Sequence, residues 1–206
     1  LQATTTLPFE PELTLLDPDE KLADATIDMV REQISGEGLY RYPFTNCSLE
    51  VSLIDEPIYH RVTRHLVSPD TSQWPGYIIT PNNYWTLEGK GDFGGVFYDV
   101  HFAYGSESHG NWLEQNWMQD ANGQQVSEDS LSVLYRPHAG APWQVLPQRD
   151  WDFDPGADRF DYLGQVTVQD APMGDYALGL RQEREPDTTS TTRPSATSST
   201  ANSWLR

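Results

Sequence analysis

The sequence predicts an all-β fold: an antiparallel β-sandwich of the immunoglobulin or fibronectin kind. Apolar and polar residues alternate with period two in many short runs, and turn residues recur every ~8–12 residues between them. A composition of 37% hydrophobic and 12% aromatic residues supplies the material for a core between two sheets.

Along the chain, Asp19 to Ile34 reads two ways. An Asp cap could open an amphipathic helix there, yet Ala25-Thr26-Ile27-Asp28-Met29-Val30 alternates, and a strand is expected over 26–34. After the turn Ser35-Gly36-Glu37-Gly38, alternation returns in Leu49-Glu50-Val51-Ser52-Leu53, then from Tyr59 to Val67, on either side of Asp55-Glu56-Pro57. Pro81-Asn82-Asn83 precedes a strand begun by Tyr84-Trp85, and Gly89-Lys90-Gly91-Asp92 leads to one over Val96–Phe102. Ala121-Asn122-Gly123 is a further turn, and Ser130–Tyr135 is a core strand that ends at Pro137. Gln165–Val168 and Tyr176–Leu180 close the series around Pro172-Met173-Gly174-Asp175, where the Tyr176 hydroxyl is placed to pin the bend as a tyrosine corner.

Residues 1–185 form the sandwich domain, with 1–25 as an extended lead-in. From 186 to 206 the chain is rich in Ser and Thr and reads as a linker or tail, flexible or docked, since it has little to bury against its ordering entropy. Trp204 and Leu205 would anchor it, and a homo-oligomer joined through this tail is one expected assembly. The chain starts at Leu1 with no leader pattern, which implies a processed leader or a fragment of a longer protein.

Charge excludes whole classes of partner. The 31 acidic residues against 13 basic ones give a net charge of −18, which repels nucleic acid and anionic membrane surfaces. No apolar run reaches the ~20 residues of a membrane span. Such an acidic surface suits an exported, extracellular or cell-surface protein, and a halophilic one. A single cysteine, Cys47, rules out an internal disulfide and reads as a buried thiol, although Asn46-Cys47-Ser48 has the form of a glycosylation sequon.

Candidate chemistry is sparse. The histidines are His60, His65, His101, His109 and His138, with no His-Glu-x-x-His pair. His60 and His65 fall on opposite faces of a strand, and His101 shares a face with Asp99. Asp150, Asp152, Asp154, Asp158 and Asp161 fall at positions 1, 3, 5, 9 and 12 of a calcium-loop spacing, so Ca²⁺ is the one candidate cofactor. Against it, Pro155 occupies the glycine position, and a hairpin with Trp151 and Phe153 inward explains the same alternation. Trp74, Tyr77, Tyr84, Trp85, Trp112 and Trp117 are core residues or, where exposed, platforms for sugar rings.

The order of short motifs carries a resemblance. Leu7-Pro8-Phe9-Glu10-Pro11, Gly38-Leu39-Tyr40-Arg41-Tyr42-Pro43, Arg61-Val62-Thr63-Arg64-His65, Asn83-Tyr84-Trp85-Thr86-Leu87-Glu88-Gly89, Leu134-Tyr135-Arg136-Pro137 and Met173-Gly174-Asp175-Tyr176 follow one another over residues 5–181. The series resembles the β-rich region after the catalytic part of secreted M1-family (gluzincin) aminopeptidase-like proteins of Bacteroidota and their relatives. The resemblance implies a non-catalytic accessory domain whose partner is a protein, either an upstream catalytic domain or neighbouring subunits. No catalytic residue carries over, because nothing here matches the zinc helix. A subunit of an extracellular assembly and a sugar- or calcium-binding module are the alternatives.

Overall fold

A computed structural model describes residues 27–70, 73–106, 110–111, 117–120, 122–154, 156 and 158–182. The lead-in at 1–25, the tail at 186–206, His109 and Trp112 lie outside them. Among the described residues no helix is long and apolar enough to cross a membrane.

Two antiparallel sheets face each other. The strands are β1 (Ile27–Ile34), β2 (Gly38–Tyr42), β3 (Cys47–Ile54), β4 (Ile58–His65), β5 (Gln73–Trp74), β6 (Tyr77–Ile79), β7 (Tyr84–Lys90), β8 (Val96–Ala103), β9 (Gly105–Ser106), β10 (Gly110–Asn111), β11 (Leu131–Arg136), β12 (Gln144–Val145), β13 (Trp151–Asp154), β14 (Gln165–Gln169) and β15 (Gly174–Arg181). The larger sheet runs β1-β4-β7-β15-β11-β12, with β6 paired to β15 and β5 to β6; the smaller runs β13-β14-β8-β3-β2. Strands β9 and β10 pair by themselves.

Period two does the sorting. Leu49, Val51, Tyr98, Val100, Phe102, Val166 and Val168 bury the inner face of the smaller sheet, against Ile58, Val62, Trp85, Leu87, Tyr176, Leu178 and Leu180 of the larger. The segment 27–34 is a strand, paired along its whole length with β4. Strand β4 stops at His65, so the expected run to Val67 is two residues too long. Leu53 departs from the alternation read in the sequence. A bulge between Val51 and Leu53 turns it outward beside its partner Phe97, leaving both exposed. The tyrosine corner is present: the Tyr176 hydroxyl donates to the carbonyl of Pro172, four residues upstream. Cys47 is buried, which raises its thiol pKa and keeps it protonated.

A second, smaller core lies on the outer face of the larger sheet. Ile79, Leu134, Trp143 and Ala177 pack there, with Trp74 and Tyr84 against them. The 137–143 segment and the β5–β6 hairpin thus cover part of a face that a simple sandwich leaves wet.

Candidate functional site

The β2–β3 connection is the short turn Pro43-Phe44-Thr45-Asn46, between the paired residues Tyr42 and Cys47. Phe44 and Asn46 both have left-handed backbones, at φ 67° and 54°. Asn tolerates that region, whereas an aromatic residue is rare there and costs ~1–2 kcal/mol. The surrounding structure holds the strain in place. The Phe44 carbonyl accepts from Arg64 Nη1 (3.4 Å), that of Thr45 from Trp85 Nε1 (2.8 Å) and that of Asn46 from the Ala103 amide (2.9 Å). The Thr45 hydroxyl adds a bond to the Tyr42 carbonyl at 2.8 Å. Three successive carbonyls are therefore pinned, from both sheets, while the Phe44 ring stands 79% exposed. The fold gives a rigid mount to a side chain that the core does not use.

Beneath Phe44 opens a cleft of about 790 Å³. The start of β1, the end of β4, the turn itself and the adjoining ends of β3, β8 and β14 supply its walls. Arg41 is exposed and makes no ion pair with a described residue. Asn46 Nδ2 is buried without a hydrogen-bond partner among the described residues. That burial also closes the sequon, since the amide nitrogen to be modified is out of reach in the fold. Arg64, on the inner face of β4, is buried, bonds Asn83 Oδ1 at 2.9 Å and sits in the field of Asp28.

The cleft runs onto the outer face of the smaller sheet. Cross-strand register aligns Arg41, Ser48, His101, Thr167 and Asp152 in one row over five strands. His101 Nδ1 lies 2.8 Å from Thr167 Oγ1, and its Nε2 is 3.4 Å from Glu50. Its partners are cross-strand neighbours on a solvated face, and Asp99 is not among them.

The larger sheet carries a matching row. Thr63, Thr86, Asp175 and Arg136 are directly opposite one another over β4, β7, β15 and β11. Here each charged group is engaged. Thr86 Oγ1 donates to Asp175 (2.7 Å) and so accepts from His65 Nε2 (2.9 Å), while the His65 ring stacks on Tyr84 at 4.0 Å. Arg136 bonds Asp175 through Nε (2.7 Å) and Asp70 through Nη1, and Trp143 lies over its guanidinium at 4.5 Å. Gly174 lets the strands approach: a Cβ there would fall 2.3 Å from the Arg136 carbonyl, and its φ is 146°. Sequence reasoning did not single out Arg136 or Asp175 as a buried pair, because a charge at a strand end reads as solvated.

Two buried titratable groups were also hidden. His60, on the inner face of β4, is 1% exposed, and its Nδ1 lies 2.8 Å from the Tyr42 hydroxyl. Burial lowers its pKa to about 4, so it is neutral near pH 7. His60 and His65 do face opposite sides. Glu128 is fully buried: its carboxylate takes the Tyr104 hydroxyl and the Tyr162 amide (2.6 Å), and burial raises its pKa. Its signal in the sequence, an acid between Ser127 and Asp129, looked like an ordinary turn.

The five aspartates of the calcium-like spacing are dispersed over three settings. Asp150 ends a 3-10 turn and meets Arg149 at 3.3 Å, and Asp152 and Asp154 lie exposed on β13. Asp152 accepts from Gln169 Nε2 at 3.1 Å. Asp154, Asp158 and Asp161 each accept the backbone amide two residues ahead, from Gly156, Phe160 and Leu163. Asp161 also stands beside Glu128. Trp151 is buried and β13 pairs with β14, which is the hairpin arrangement. Among the described residues no three His, Cys, Asp or Glu side chains gather with metal-ligand spacing. Trp85 is core, Trp74 and Tyr84 pack under the second cluster, and Phe44, absent from the aromatics singled out in the sequence, is the one displayed at the cleft.

No protein-family model matches the chain, and no curated protein matches it.

Proposed function

We propose that this chain is a non-catalytic interaction domain of an exported protein, and that it binds through the cleft under Phe44. The observation that carries this reading is the turn: a strained, exposed aromatic held by three anchored carbonyls, above polar side chains that bond no described residue. A fold retains such strain where the displayed side chain has a task, and rigidity reduces the entropy lost on binding. Three groups with chemical potential are sealed elsewhere: His60 is neutral in the core, Glu128 is bonded to Tyr104, and Arg136 is paired twice. The motif series resembling the region after the catalytic part of M1-family aminopeptidase-like proteins supports an accessory place beside an enzyme, outside the cell.

A glycan and protein-domain array probed with the full chain and with Phe44→Gly tests it. Gly accepts the left-handed backbone, so the variant keeps the fold and loses only the ring. Binding by the parent that the variant lacks, at equal melting temperature, is the expected result. Equal binding by both overturns the cleft as the site. Turnover of aminoacyl or glycosidic substrates by the purified chain overturns the non-catalytic reading.

A further inference from the structure

We infer that the ligand of this cleft is a sugar bearing a carboxylate, a uronate residue. The inference rests on the reading of the cleft as the binding site and adds the chemical class it takes.

Unfilled hydrogen-bonding capacity gives the first argument. Arg41, Ser48 and Gln165 line the cleft, and their side chains bond no described residue. Wet polar groups without a protein partner are open to a ligand that displaces their water. The hydroxyls of a sugar match the amide of Gln165 and the hydroxyl of Ser48.

Charge gives the second. Within the cleft, the field of Asp28 falls on buried Arg64, and Glu50 lies against His101 at its edge. Arg41 is the cation left over, in a molecule whose net charge is −18. A guanidinium fork suits one carboxylate, which it holds through paired N–H bonds. A long polyanion would instead meet the acid surface around it, so the fit is to a single uronate or a short oligomer.

Shape gives the third. Phe44 presents a flat apolar face, 79% exposed, on a pinned backbone at the cleft. The C–H face of a pyranose ring packs on such a surface while its edge hydroxyls reach the polar wall. At about 790 Å³ the cleft lies within the ~300–1,000 Å³ usual for small-molecule sites.

Nitrogen-15-labelled full chain is titrated with trigalacturonate, with neutral galactotriose and with a Glu-rich tripeptide, following the backbone amides of 42, 44–48 and 101–103. Trigalacturonate is expected to shift these amides and bind at least about tenfold more tightly than galactotriose, as one charge-assisted contact implies. Arg41→Gln should remove that preference, and Phe44→Gly should weaken both sugars. Equal binding of the two sugars, or an Arg41→Gln variant that keeps the preference, overturns the uronate class and leaves the cleft reading in place. Shifts with the tripeptide alone overturn the sugar class and again leave the cleft. No shift at 42–48 with any probe overturns the inference, and the array comparison of Phe44→Gly then decides the cleft by itself.

Discussion

Each sheet carries a polar row on its outer face, and the two rows have opposite fates. On the larger sheet, Thr63, Thr86, Asp175 and Arg136 lie beneath tertiary cover, and each charged group there is bonded to another. On the smaller sheet, Arg41, Ser48, His101, Thr167 and Asp152 remain open, and Arg41 and Ser48 keep unfilled hydrogen-bonding capacity. The residue types are alike: an arginine, an aspartate, hydroxyls and a histidine within reach. The cover makes the difference. A group cut off from water must find a protein partner, whereas a wet one can wait for a ligand. Stability therefore concentrates in the sealed row, and the proposed binding draws on the open one.

The largest test of that division is Asp175→Ala. It strips Arg136 of its buried partner and Thr86 of its acceptor, leaving only Asp70, whose side chain is 54% exposed. A loss of about 3 kcal/mol is expected in urea unfolding, at the low end for breaking a buried ion pair. A loss under about 1 kcal/mol would break the comparison.

Next in size is a pH effect in the sealed interior. His60 has a pKa of about 4 in the fold, against about 6.5 in an unfolded chain. Between these values the unfolded chain binds the extra proton, so stability is full above pH 6.5 and falls as pH drops towards 4. Its contribution is about 3 kcal/mol over that window. Glu128, whose pKa is raised, acts in the opposite direction, so the quantity to read is the parent profile minus that of His60→Gln. A difference that stays flat from pH 7 to 4 would show that His60 is not sealed.

Tyr176→Phe removes the corner hydroxyl and leaves the Pro172 carbonyl without its donor. About 1–2 kcal/mol is expected by chemical denaturation, with no change in binding at the cleft. The smallest effect belongs to the open row. Arg41→Gln should change stability by less than about 0.5 kcal/mol, because an exposed cation with no ion pair to a described residue holds little together. Thermal melts of this variant against the parent sharpen the comparison: unchanged melting with altered ligand preference assigns Arg41 to binding alone.

Much of the fold was legible in the sequence, for a local reason. Alternation is a property of neighbouring residues, so β3, β4, β8, β11, β14 and β15 could be placed from their own patterns, as could the strand over 27–34, and the start of β7 from the turn before it. The Tyr176 corner was readable because both of its ends lie within four residues. Leu53 shows where this stops, since the bulge that turns it outward exists only once β3 is paired with β8.

The site was scarcely legible at all. Asp150–Asp161 drew notice because its acids are regularly spaced, yet several of those oxygens are engaged by the chain's own amides. Arg41, Asn46, Ser48, His101 and Gln165 have no pattern in the chain, because they converge from β2, its turn, β3, β8 and β14. Sequence by itself determined which residues alternate, where the chain bends, and that an acidic surface would turn away polyanions. Tertiary structure alone decided which polar groups are covered and which stay wet. Covering is set by how the chain folds back over the sheet, with the loop after β11 laying Trp143 over Arg136 and Trp74 of the distant β5–β6 hairpin packing against the same cluster, and local alternation carries no trace of it.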